Sequence, residues 1–218
     1  ATEKTKSLPD LTVEPANFDA QMAAIVRAGY HTISQVQLFD ALARGKPLPR
    51  KPVMITVDDG YIDDVRQILP ELRRRRMIAT FYIITSRFRE PGFVNEDQVR
   101  ELERSGMDIG AHTRTHANLP ALDSAALKSE VAGSGSDLKR VLGHPVYWFA
   151  YPYGAFDATV VQAARAAGFV LAVTTRGGTR ESSQHSLTLS RIHVGRASTP
   201  SSLLACLAPI GGCGGPGG

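Results

Sequence analysis

Apolar positions along the chain follow two alternating rhythms. Short runs rich in β-branched and aromatic residues read as buried strands, and the longer stretches between them repeat their apolar residues at helical spacing. After an N-terminal segment at residues 11–13, "FDAQMAAIVRAG" predicts a helix stopped by Gly29. A short strand "HTI" follows, and Ser34 caps the helix "QVQLFDALARG". The strand "PVMITV" leads into a helix over about residues 63–76, where Pro70 predicts a kink or a late start. Then come the strand "ATFYII", the helix "EDQVRELERSG", the strand "MDIGAH" and a long helix over about residues 123–142. The strand "VYWFAY", the helix "DATVVQAARAAG" and the strand "FVLAVTT" complete the regular part. Residues 177–187 read as an irregular loop, "LSRIHV" as a final strand and "PSSLLACLA" as a terminal helix.

This alternation predicts an α/β fold with parallel strands. About seven β/α repeats without a dinucleotide-type glycine fingerprint favour a barrel over an open doubly wound sheet, with the chemistry at the C-terminal strand ends. At 218 residues the chain is expected to form one domain with a sizeable core, over residues 1–210, and a flexible glycine-rich tail over 211–218.

Composition narrows the function classes. No apolar run approaches the ~18–20 residues needed to span a bilayer, and no transmembrane segment is expected. The start "ATEKTKSLPD" has no signal-peptide core, so the chain reads as either cytoplasmic or a mature or truncated form of an exported protein. The net charge of +4 would permit an acidic partner, but the only basic run, "RRRR" at 73–76, reads as the solvated end of a helix. Nucleic acid is therefore not expected as a partner. Cys206 and Cys213 read either as a small disulfide loop, which would point to export, or as incidental thiols. The sequence says nothing of oligomeric state.

One stretch resists this bland reading. In "VMITVDDGYIDD" an apolar strand ends in adjacent carboxylates, which repel each other and resist burial. Either the strand surfaces there as an Asp-Gly turn, or something positive faces Asp58 and Asp59. Asp63 and Asp64 fit the start of the next helix. Other strands also end in useful residues: His112 and His116 form H-x-x-x-H after "MDIGAH", "VYWFAY" runs into "PYGAFD", and "LSRIHV" carries Arg191 and His193 two apart, on one face. Two imidazoles at that spacing and a carboxylate from elsewhere can hold a metal. A dication would neutralise one aspartate and leave the other to take a proton from water, with Gly60 letting the backbone turn sharply. The missing Glu of H-E-x-x-H argues against a zincin-type protease.

The motifs "TVDDG", "HTRTH" and "FAYPYG" stand in the order and approximate spacing of the polysaccharide deacetylases. Over nearly its whole length the chain resembles the NodB-homology domain of carbohydrate esterase family four. "ATFYIIT" looks like the family's second core strand, and "LTVEPANFDAQMAAIVRAGYHTIS" resembles the leading segment of its bacterial exopolysaccharide branch. The resemblance implies a distorted (β/α) barrel with fewer strands than the eight-stranded form. It implies Asp58 as catalytic base, and Asp59, His112 and His116 as ligands of a divalent metal, most commonly Zn2+, with Co2+ or Ni2+ as alternatives. It gives Thr113 a part in shaping the loop, and Tyr153 a backbone N–H for the oxyanion, in a turn fixed by Pro152 and Gly154.

The implied activity is removal of acetyl groups from N-acetylated sugars of an N-acetylglucosamine-containing polymer, the poly- or oligosaccharide being the partner. The alternatives are a polysaccharide O-acetyl esterase, as on acetylxylan, and a non-catalytic carbohydrate-binding domain. A polymer substrate implies a secreted or cell-envelope location. Tyr61, Trp148 and Tyr151 are candidates for a sugar-stacking surface, against the plain alternative that they are packed.

Two departures from the family pattern stand out. Ala150 occupies the position where most members carry an arginine that orients the base, although "FAYPYG" resembles a subgroup that includes poly-N-acetylglucosamine deacetylases. The Asp-Trp-containing fourth motif has no match, and "LSRIHV" only loosely resembles the fifth, which supplies a histidine acid. Arg191 is therefore the candidate for orienting Asp58, against a structural salt bridge. His193 is a candidate acid, against a simple strand residue.

Overall fold

A computed structural model describes residues 11–179 and 181–208. The chain opens with α1 (Pro15–Arg27), whose proline sits in the first turn, where its missing N–H costs no intrahelical bond. Next, α2 (Gln35–Arg44) is closed at one end by a reciprocal Ser34–Gln37 capping box and at the other by Gly45 in the left-handed conformation. On either side of α2, β1 (His31–Thr32) and β2 (Pro52–Val53) pair in parallel as a separate two-stranded sheet.

The main sheet holds β3 (Ile55–Val57), β4 (Ala79–Ile83), β5 (Asp108–Ala111), β6 (Trp148–Ala150) and β7 (Leu171–Val173). They lie side by side in sequence order, all parallel, and curl into a half-barrel. The helices α3 (Leu69–Arg74), α4 (Glu96–Arg104), α5 (Ser124–Leu142) and α6 (Ala158–Ala166) connect them, and α7 (Pro200–Leu207) packs on α1.

Strand alternation sorts the side chains into two cores. Phe81, Ile83, Ile109, Ala111, Phe149 and Ala172 face the connecting helices in the large core. Tyr82, Trp148, Ala150, Leu171 and Val173 face the other way, with Leu38, Phe39 and Leu42 of α2 packed against them. Gly110 belongs to this second face because a side chain there would meet the Tyr82 ring, 2.5 Å from a Cβ.

Six of the seven expected strands are present, and they do not close into one ring. "PVMITV" breaks at Met54 and its two halves join different sheets; apolar periodicity reports burial and not which strand is the partner. "LSRIHV" is not a strand. Only Leu189 pairs, in a single parallel bridge with Val173. The next N–H on that side, of Arg191, goes to the Arg176 carbonyl at 2.8 Å, and the Thr174 carbonyl that would continue the ladder accepts from the Arg191 side chain instead.

The helical stretch opens near residue 63 as expected, and what Pro70 changes is its pitch just before the proline. A widened π-helical turn over Asp64–Ile68 precedes α3, which holds the proline in its first turn. Asp63 and Asp64 stand at the start of this helical stretch as expected, but Asp63 makes no capping hydrogen bond with its side chain and Asp64 is buried at 2% exposure. Nor is the arginine run wholly solvated: Arg75 is tucked against Asp19 of α1 at 2.6 Å, and it also contacts Glu71. Cys206 is buried in α7 and disulfide-bonded, while Cys213 and the glycine-rich tail lie outside the described residues. Among the described residues no helix is long and apolar enough to cross a membrane.

Candidate active site

The β3 strand runs straight into Asp58. The next two residues, Asp59 and Gly60, both take left-handed backbone angles, φ 79° and 77°. That double turn sends the adjacent carboxylates to different partners. At Gly60 an added Cβ would also press to 3.2 Å from Ile83, a contact tighter than packed side chains favour.

Asp59 turns toward the two histidines. Its Oδ1 lies 3.5 Å from His112 Nε2 and 3.6 Å from His116 Nε2, and the three ligand atoms fall within 4.8 Å of one another. Donors arranged tetrahedrally ~2.0–2.1 Å from an ion stand about 3.3–3.5 Å apart, close to the two distances from Asp59 to the imidazoles. Two imidazoles and one carboxylate also match the donor preference of zinc, cobalt or nickel better than that of magnesium or calcium.

The imidazole orientation is fixed from behind. His112 is buried and its Nδ1 lies 2.8 Å from the Ala150 carbonyl, which can only accept. Nδ1 therefore carries the proton, which leaves Nε2 as the atom on the Asp59 side that could bind an ion. His116 is brought round not by a helix but by a loop with two left-handed residues, Thr113 and His116, both at φ 63°. The buried Thr113 accepts the His116 N–H at 2.9 Å, and the Glu130 carboxylate of α5 accepts from the N–H groups of Arg114 and Thr115. Arg114 pairs with Asp137 of the same helix at 2.8 Å.

Asp58 turns toward Arg191. The guanidinium donates from Nη1 to Oδ1 and from Nη2 to Oδ2, both at 2.8 Å. Arg191 is itself held by the Thr174 carbonyl at 2.8 Å and by the Thr56 hydroxyl at 3.1 Å. Burial works against ionisation of Asp58, but Arg191 and the two histidines outweigh it and hold its carboxyl below the ordinary range.

The "PYG" turn stands over the histidines. Tyr153, at φ 59°, is 64% exposed and sets its ring edge-on to His116, 4.5 Å between centroids. Its carbonyl accepts from the Thr175 hydroxyl, and Pro152 is buried beneath it. Gly154, at φ 66°, is irreplaceable on steric grounds, since a Cβ would fall 2.1 Å from Thr175 Oγ1.

The candidate sugar platform needs correction. Tyr151 is fully buried and donates its hydroxyl to the Leu187 carbonyl at 2.9 Å. Trp148 packs in the second core with Tyr82 and Leu171. Both are core residues and present no face to a sugar. Tyr61 remains at the edge of the site, stacked on Phe93 at 4.8 Å; burial and the neighbouring Asp59 carboxylate push its hydroxyl up. His193 is exposed, two residues beyond Arg191 on a loop and not on a strand face. Sequence reasoning missed Thr56, Thr174, Glu130 and the Ala150 carbonyl. No local spacing announces them, because each acts through the fold's long-range contacts.

Comparison with known proteins agrees with this geometry. The family model described as polysaccharide deacetylase matches residues 45–172. YxkH of Bacillus subtilis is 28% identical over 204 residues, covering 88% of this chain and 73% of that one. The peptidoglycan-N-acetylglucosamine deacetylase of Bacillus cereus is 28% identical over 141 residues, 64% of this chain, which spans about half of that protein's length. Among solved structures, the Streptococcus pyogenes deacetylase PplD in complex with acetate superposes with a TM-score of 0.89 at 26% identity, covering 96% of this chain and 93% of that one.

Proposed function

The chain belongs to the polysaccharide deacetylase family, and from that premise we propose that it hydrolyses acetamido groups on an N-acetylglucosamine-containing polymer. The observation that carries the reading is the division of labour at the β3 end: Asp59 faces two histidines while Asp58 faces Arg191.

Asp59, His112 and His116 would hold a divalent ion, zinc by this donor set, which supplies Lewis acidity at water and at the acetyl carbonyl. Asp58 takes the proton from the attacking water at its carboxylate. Arg191 keeps that carboxylate ionised and pointed, the role that an arginine at position 150 would otherwise have. The Tyr153 N–H donates to the developing oxyanion, a contribution of about 3 kcal/mol for one such donor. His193 returns a proton to the leaving amine. Tyr61 and Tyr153, the two aromatic rings left at the mouth, flank the sugar.

The similarity to a peptidoglycan-N-acetylglucosamine deacetylase supports the amide over the ester. The exposure of His193 favours a second reading, O-acetyl ester hydrolysis, because an ester expels its leaving group with less help from an acid. A polymer substrate of either kind places the chain in the cell envelope or outside the cell. Acetate release from chitooligosaccharides, β-1,6-linked N-acetylglucosamine oligomers, peptidoglycan and acetylxylan, with and without zinc, tests these readings. Turnover of acetylxylan alone would favour the ester, and no turnover at all would contradict both.

A further inference from the structure

Four arginines are fixed at the C-terminal ends of the sheet strands or beside them, and one is held without a carboxylate. Arg191 is bound to Asp58, Arg114 to Asp137, and Arg87, lying over the Phe93 ring, to Glu90. Arg176, just past β7, is exposed and lays its guanidinium over the Phe156 ring, 4.5 Å from the centroid. Among the described residues it forms no ion pair. The nearby carboxylates are engaged elsewhere: Asp157 caps α6 through the Val160 N–H, and Glu181 accepts from Ser190.

Backbone contacts put this arginine beside the chemistry. Its carbonyl accepts from the Arg191 N–H at 2.8 Å, and the adjoining Thr175 hydroxyl donates to the Tyr153 carbonyl at 3.2 Å. The backbone of residues 175–176 is thus tied both to the Arg191 segment and to the turn that carries Tyr153.

A guanidinium stacked on a ring keeps its in-plane N–H donors at its edge, where they match two oxygens of one anionic group. Stacking also restricts the side chain beforehand, so less freedom is lost when a ligand is bound. We propose that Arg176 forms an anion-binding subsite, taking a carboxylate or phosphate carried by a sugar that neighbours the one being deacetylated. The proposal rests on the deacetylase reading above and narrows its substrate class from neutral to acid-bearing polymers.

Affinity and turnover are measured separately, so that the two readings fail separately. Calorimetric titration uses the zinc-loaded full chain with three oligosaccharides of equal length. One is a neutral N-acetylglucosamine oligomer, one contains carboxylate-bearing N-acetylmuramic acid, and one carries a phosphate monoester. The parent chain is expected to bind at least one anionic oligomer ~10-fold more tightly than the neutral one at low salt, with the margin shrinking at high salt. R176M should abolish that margin and R176K retain part of it; the arm that carries it identifies carboxylate or phosphate. Equal affinity for all three oligomers, or a margin that survives in R176M, overturns the subsite. Acetate release from the same oligomers reports on the deacetylase reading alone. An affinity margin with no acetate released sinks that reading and leaves the anion subsite standing.

Discussion

Arg191 and Asp58, 133 residues apart in sequence, meet through two parallel hydrogen bonds of 2.8 Å. A planar fork on a planar carboxylate fixes both position and rotation, which a lysine could not do. Ala150 lies buried in the face next to this pair and supplies only its backbone carbonyl, to His112. Arg191, and not the residue at position 150, is the cation that faces Asp58.

Arg191→Met should lower kcat by ~10²-fold, as expected when a catalytic group loses its orientation. Zinc content, measured by mass spectrometry on the same preparation, should stay at the parent level, since Arg191 contacts none of the three ligands. Arg191→Lys should recover only a minor part of the loss. Unchanged kinetics in the Met variant would reduce the pair to a structural salt bridge.

His112→Ala and Asp59→Ala should each lose most of the bound zinc, together with activity. Glu130→Gln is the more informative variant. Glu130 accepts two backbone N–H groups and the Thr115 hydroxyl in the loop between the histidines. A neutral amide can replace only part of that acceptor set. Zinc affinity should weaken by ~10-fold, the lower end of the range for outer-shell partners. Affinity equal to the parent's would show that the loop holds its shape unaided.

Gly154→Ala should cost about 2 kcal/mol or more of stability, because the residue combines φ 66° with no room for a Cβ. Thermal unfolding reads the loss, and acetate release should fall with it through displacement of Tyr153. A variant as stable as the parent would mean that Thr175 can move aside.

Stability should also respond to pH through Asp108, which lies away from the metal ligands. Burial raises its carboxyl above the ordinary value, only partly offset by the Gln35 N–H at 2.6 Å. A carboxyl harder to ionise folded than unfolded favours the native state below its unfolded pKa, ~3.9, and subtracts stability as pH rises through the folded value. Asp108→Asn should therefore raise the melting temperature at pH 7.5, with the gain shrinking toward pH 4. A gain independent of pH would assign the effect to packing.

The sequence made the strand–helix alternation, the Asp-Asp and H-x-x-x-H motifs and the Arg191 candidate legible because each is written in local spacing or follows a strand. It could not show that "LSRIHV" leaves the sheet, since the Thr174 carbonyl that would continue the ladder accepts from the Arg191 side chain, a contact that no periodicity encodes. Trp148 and Tyr151 stay ambiguous in sequence for a related reason. A large aromatic near a motif looks the same in sequence whether it faces a ligand or the core, and here both face the core. Asp64 stands at the helix start that the sequence predicts, but it is buried with one carboxyl oxygen unpartnered, in a widened turn that Pro70 alone does not specify.

The claim at the centre of this account is that adjacent aspartates have opposite duties, and Asp58→Asn tests it most directly. Acetate release and zinc content should be measured on one preparation of that variant. Parent-level zinc and almost no acetate are expected, because the amide keeps the shape of the side chain but cannot take the proton. Retained turnover, or loss of zinc in step with activity, would contradict it.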